Sequence, residues 1–141
     1  MKNNFIKFFL LWLLICNISV AEQFTFKTSK IELLNDGNLV NAKDGVAISS
    51  DKNLEIQAQN FEYDKSKNLL KALKGKALYK SDNLSIEFDQ MSLDQTNLIS
   101  TAENNVKIVD LNKNIIIETN KIVFDKKKNL LESSTTTTLR D

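Results

Sequence analysis

The sequence predicts an all-β fold, a curved antiparallel sandwich or open jelly roll built from about four repeats of ~30 residues. Three observations carry this. Pairs of apolar residues alternate with polar ones at Phe24/Phe26, Leu54/Ile56, Leu84/Ile86 and Ile115/Ile117, and the pairs recur after 30, 30 and 31 residues. Each is followed at a fixed distance by a second pair, Ile31/Leu33, Phe61/Tyr63, Met91/Leu93 and Ile122/Phe124. A turn phrase then closes each unit: Asp36-Gly37-Asn38-Leu39-Val40, Asp64 to Leu70, Asp94 to Ile99 and Asp125 to Leu131. Units that alternate with period two and repeat every ~30 residues cannot bury an apolar face alone, so they stack.

The elements follow in chain order. Lys2 and Lys7 open the sequence, Phe8 to Ile15 is unbroken apolar, and Ser19-Val20-Ala21 supplies small residues for cleavage. This is the layout of a secretory signal peptide over residues 1–21, shorter than the ~20 apolar residues of a spanning helix. An uncleaved anchor is the alternative, with Ile18 and Val20 lengthening the run. Export to the periplasm is the expectation, with residues 22–141 as one domain. Cys16 and Trp12 leave with the signal, so the domain forms no internal disulfide.

Within each unit the apolar positions take one step of three: Thr28 to Ile31, Ala58 to Phe61, Phe88 to Met91 and Thr119 to Ile122. A strict period of two would turn the second pair outward, so a bend is expected near Ser29-Lys30, Gln59-Asn60, Asp89-Gln90 and Asn120-Lys121. The Asp-to-Asn segments are polar turns, since both residues bond nearby backbone and tolerate left-handed geometry. Return strands follow as Gly45-Val46-Ala47-Ile48, Gly75 to Leu78 and Asn105-Val106-Lys107-Ile108, with Asn105 in a glycine position that suggests positive φ. The fourth return, Ser133 to Leu139, is polar and β-branched. It reads as an edge strand, or else residues 132–141 are a frayed tail.

Composition excludes several functions. The chain has no His, and 19 Lys+Arg stand against 18 Asp+Glu, which is no basis for a nucleic-acid binder. Without His or a retained Cys, the usual base, thiol nucleophile and transition-metal ligands are missing. Glu55, Glu62, Glu87 and Glu118 fall on outward strand positions, and the recurring Asp residues belong to turns. No catalytic residue, metal site or cofactor is expected. Lys65-Ser66-Lys67 and Lys126-Lys127-Lys128 are solvated turn lysines or contacts for anionic headgroups.

The stretch Leu54-Glu55-Ile56-Gln57-Ala58-Gln59-Asn60-Phe61-Glu62-Tyr63-Asp64-Lys65 resembles the repeat of the OstA-like domain, and so does Ala72-Leu73-Lys74-Gly75-Lys76-Ala77-Leu78. That domain belongs to the lipopolysaccharide transport proteins: LptA, the periplasmic part of LptC and the N-terminal domain of LptD. The resemblance covers residues 23–131. Gln59, Asn104-Asn105-Val106 and the threonines at 135–138 depart from it. The opening Phe24 to Gly45 is most similar to LptD N-terminal domains, which leaves a separate short protein or the front of a longer one.

The resemblance implies a periplasmic carrier of lipopolysaccharide, bound for the outer membrane, that holds acyl chains between two sheets. It also implies end-to-end pairing with other Lpt-type jelly rolls or with itself. Candidate lipid contacts are Phe26, Leu54, Ile56, Phe61, Leu84, Ile86, Phe88, Met91, Ile115, Ile117 and Phe124, each of which would equally serve as core. Candidate edge residues are Phe24 and Thr28 at one end and Thr135, Thr137 and Leu139 at the other. A secreted β-repeat without a ligand is the competing reading.

Overall fold

The structure, a computed structural model, describes residues 24–140; the expected signal segment and its cleavage site lie outside them. Nine strands form one antiparallel sheet: β1 (Phe24–Leu34), β2 (Leu39–Ser49), β3 (Leu54–Asp64), β4 (Leu69–Tyr79), β5 (Leu84–Asp94), β6 (Ile99–Asp110), β7 (Ile115–Asp125), β8 (Leu130–Ser133) and β9 (Thr138–Arg140). Strands β1 to β8 pair in sequence order, and β9 returns to pair with β7. The sheet does not close on itself: β1 pairs only with β2 among the described residues.

Every long strand bends in the middle. Ladder pairing skips Ser29 and Asp44 between β1 and β2, Gln59 between β2 and β3, and Lys74 and Asp89 between β4 and β5. Between β5, β6 and β7 the interruption widens into a register shift around Asn104 and Asn105, opposite Asn120. These breaks form one column across the sheet and fall where the step of three places them. The sheet therefore folds over into two walls. The first wall combines the first halves of β1, β3, β5 and β7 with the second halves of β2, β4 and β6. The second wall holds the remaining halves together with β8.

The corner is made by the even strands, and here the sequence reading holds at Asn105 but needs correction at the glycines. Positive φ falls on Asp44 (49°), Lys74 (52°), Asn104 (61°) and Asn105 (52°), whereas Gly45 and Gly75 are not left-handed. The two glycines are required by space instead. A Cβ on Gly45 would collide with the carbonyl oxygen of Lys27, and one on Gly75 with that of Gln57. Asp, Asn and Lys accept the left-handed turn, and the residue after it passes against the preceding strand.

Step-of-three residues point inward on both sides of the corner. Ile56, Ala58, Phe61, Tyr63, Ile86, Phe88, Met91 and Leu93 are all buried in one core cluster with Ala47, Leu70, Ala77 and Ile108. The walls meet edge-on through aromatic rings. Phe24 lies 5.6 Å from Tyr63 and Phe26 lies 5.7 Å from Phe61, both T-shaped.

The last return strand is broken at the corner. Beta8 and β9 take the places of its two halves, and Thr119 Oγ1 meets Ser133 Oγ at 2.8 Å and Thr135 Oγ1 at 2.7 Å between them. Ser133 to Leu139 is thus not one continuous edge strand: Ser133 ends β8, residues 134–137 lie outside any strand, and β9 begins at Thr138.

Replacing Gly75 with Ala is expected to cost roughly 1–3 kcal/mol, because backbone and not a flexible side chain must give way. Gly37, at φ 84° with open space around it, should lose only about 1 kcal/mol on the same change, through its left-handed backbone. Urea unfolding midpoints of the two variants check the ranking.

Candidate lipid-binding interior and its mouth

Opposite the corner, the two walls end in rows of four-residue turns that form lips. Turns 50–53, 80–83 and 111–114 finish the first wall, and turns 35–38, 65–68, 95–98 and 126–129 finish the second. Turns stack along each lip through backbone bonds. Lys80 N–H donates to Asn53 O at 2.8 Å and Leu111 N–H to Asn83 O at 3.0 Å on the first lip. Lys65 N–H to Asn38 O, Gln95 N–H to Asn68 O and Lys126 N–H to Leu98 O do the same on the second, at 2.8, 3.0 and 3.0 Å.

The repeated turn phrase has a defined job in three of its four copies. Backbone N–H groups of Lys67, Asn97 and Lys128 donate to the carboxylates of Asp64, Asp94 and Asp125 at 3.1, 2.9 and 3.1 Å. The corresponding place in the first turn is Leu34, and Asp36 sits inside the turn at φ 54°. The hydroxyl of Ser66, with Lys67 beside it, holds Asp64 down at about 2 from 3.8. Asp94 is lowered by the backbone and side chain of Asn97, and Asp125 by Lys128. Each of these carboxylates is engaged by its own turn. Among the described residues, no group of three His, Cys, Asp or Glu could hold a metal ion.

Between the lips lies a depression of about 560 Å³. Its floor is apolar, formed by Leu54, Leu93, Ile99 and Phe124, and both lips supply its polar rim, including Asp51, Asp82, Gln95 and Lys126. Tyr79 of the first wall donates to Ser100 Oγ of the second at 3.4 Å across this opening. Burial pushes the Tyr79 phenol up, so it remains a donor at neutral pH. Asp51 is lowered mainly by the Ser49 hydroxyl and the Asn53 N–H, and Lys126 on the opposite lip lowers it further. The mouth is thus spanned by the Tyr79–Ser100 hydrogen bond, with opposite charges, Asp51 and Lys126, on its two lips.

The residues expected to contact lipid all fall on the interior, at two depths. Leu54, Ile56, Phe61, Ile86, Phe88 and Met91 are buried, and Phe26, Leu84 and Ile117 are partly buried against that core. Ile115 and Phe124 are half-buried, and Phe124 reaches the mouth with Leu54. Sequence reasoning missed Tyr79, Gln95 and Ser100. Counting alternate positions onward from Gly75 and Ala77 would have found Tyr79.

Both ends of the roll are uncovered. Ile31 and Leu33, facing inward beyond the reach of the first wall, are 49% and 61% exposed at the β1 end, and Leu139 is 64% exposed at the other. Phe24 and Thr28 lie on the open β1 edge. Leu139 lies in β9 opposite Ile117, while Thr135 and Thr137 stand outside any strand, their hydroxyls bonded to Thr119 and Ser133.

No protein-family profile matches the chain, and no curated protein matches it by sequence. Among solved structures, the chain is similar to LptH of Pseudomonas aeruginosa, described as the LptA homologous periplasmic component of the conserved lipopolysaccharide transport device. The TM-score is 0.71 at 11% sequence identity, over 84% of this chain and 94% of that one. The chain therefore has the fold of an LptA-like β-jelly roll.

The three depressed turn carboxylates, with Asp51 as a fourth, give a pH dependence. A carboxyl held below its unfolded value stabilises the fold above that value, and the contribution is lost as pH falls through the folded one. Thermal stability should therefore drop as pH falls from 3.8 towards about 2. The combined Asp64→Asn, Asp94→Asn and Asp125→Asn variant should show a flatter profile in melts over that range.

Proposed function

We propose that this protein is a periplasmic lipopolysaccharide-transport module that carries acyl chains in the apolar interior between its walls. The observation that supports this most is the form of the interior. One continuous apolar surface is hinged along a single corner column, fringed by an opening at the lips and uncovered at both ends. A closed structural repeat would need none of those openings. Likeness to the fold of LptH adds the biological setting, and the signal-like first 21 residues fit export.

In this reading Leu54, Leu84, Ile115, Ile117 and Phe124 meet the cargo first, because they lie nearest the lips. Phe26, Ile56, Phe61, Ile86, Phe88 and Met91 line the deeper space that opens as the walls part. Each methylene buried contributes about 0.8 kcal/mol, so several acyl chains are held without any deep polar contact. Transfer then proceeds edge to edge. The open β1 strand, with Phe24 and Thr28, and the Thr135–Leu139 end offer backbone groups to another Lpt-type jelly roll or to a second copy. Pairing there would cover Ile31, Leu33 and Leu139 and join two interiors. The chain acts as a carrier, with no catalytic step.

Mass spectrometry of lipid co-purifying with the exported protein tests this. Lipopolysaccharide is expected in the wild type and lost in Ile117→Asp, since an unpaired charge in the interior is costly. Circular dichroism must show that the variant is folded. Wild-type protein free of lipid, and unable to take it up from micelles, would leave the ligand-free β-repeat as the correct reading.

A further inference from the structure

The polar rim of the mouth contains a feature that acyl-chain carriage does not use. The side-chain oxygen Oε1 of Gln95 is buried and has no hydrogen-bond partner. An orphaned buried acceptor costs on the order of 1–3 kcal/mol, so its presence calls for a reason. The main chain at Gln95 is anchored. Its own backbone N–H is tied to Asn68 O at 3.0 Å in the stack of turns. It lines the mouth at the level where the apolar floor of Leu93 and Ile99 gives way to the lips.

The neighbours around that oxygen are also weighted towards accepting. Asp51, Asp82 and Asp94 line the same opening, against Lys126 as the basic residue among its lining side chains. Ser100 Oγ already accepts from Tyr79. A ligand seated here would thus find apolar surface below and hydrogen-bond acceptors above. Three carboxylates stand against one ammonium among the side chains that line the opening.

We propose that the mouth is a recognition site for the junction of an amphipathic lipid, and that it selects a junction which donates hydrogen bonds. Hydroxyl or amide N–H groups beside the acyl chain fit; a phosphate at that depth does not. Gln95 Oε1 takes the donated bond, and Tyr79 exchanges its bond to Ser100 for one to the ligand as the walls part. This inference rests on the carrier reading and adds a site of selection to it. Apolar burial sets how much lipid is held, and the rim sets which head lies at the opening.

Two single-chain probes below their micelle concentrations separate the contributions: dodecyl maltoside, whose head donates hydroxyls, and dodecyl phosphate. Isothermal titration calorimetry of the purified protein should show tighter binding of the maltoside. Gln95→Leu should weaken the maltoside about tenfold, the worth of one hydrogen bond, and leave the phosphate unchanged. Gln95→Glu keeps an acceptor and should retain most of the maltoside affinity. The melting temperature of Gln95→Leu should hold or rise, because an unsatisfied acceptor has been removed. Equal weakening for both probes, or none for either, would overturn the recognition site and leave the carrier intact. Wild-type protein that binds neither probe would remove both.

Discussion

The corner column is the constraint from which the rest of the molecule follows. A strand of strict period two cannot keep the same apolar set facing inward on both sides of this corner. This chain meets the problem with a step of three in its apolar positions and a left-handed residue in each long even strand. Asp44, Lys74 and Asn104 turn the backbone, and ladder pairing lapses around them. Glycine then follows where the strand passes against the preceding carbonyl, at Gly45 and Gly75. Because every long strand bends at the same level, two walls arise from one meander and face each other without a crossover connection.

A hinge along one side leaves the opposite side as the place where the walls are least tied. The lips are firm along their length, through turn-to-turn backbone bonds and carboxylate-capped turns. Across the gap, the 3.4 Å bond from Tyr79 to Ser100 and the attraction of Lys126 for Asp51 are weak by comparison. In the proposed carrier, each wall moves as a unit while the corner holds, and bulky chains are admitted without unfolding. The exposed inward residues at both ends, Ile31, Leu33 and Leu139, extend the same interior to the open ends of the roll.

Much of this was legible in the sequence, because repetition makes a weak signal strong. One step of three is ambiguous, but four at the same place in each unit mark a corner, and the breaks at Ser29, Gln59, Asp89 and Asn120 lie there. The left-handed position was read correctly at Asn105 and one residue late at Gly45 and Gly75, since glycine is the usual sign of positive φ and there it answers a steric demand instead. Asp36 looked like a fourth copy of the turn aspartate, yet the strand ends at Leu34 and the cap is absent. The split of the last strand was hidden because Ser and Thr suit both an extended chain and a hydroxyl-bonded corner. Likewise, Tyr79, Gln95 and Ser100 belong to different units. Only the folding of one wall over the other brings them together at the mouth.

The central claim is that the two walls hinge at the corner and part at the lips to take lipid. Spin labels on the two lips test it most directly, at Lys52→Cys and Lys127→Cys in a Cys16→Ser background, with distances from double electron–electron resonance. Addition of lipopolysaccharide should shift the distance distribution to longer values, while a pair within one lip, at Lys65→Cys and Lys127→Cys, stays fixed. An unchanged Lys52–Lys127 distribution in protein shown to carry lipid would contradict the account.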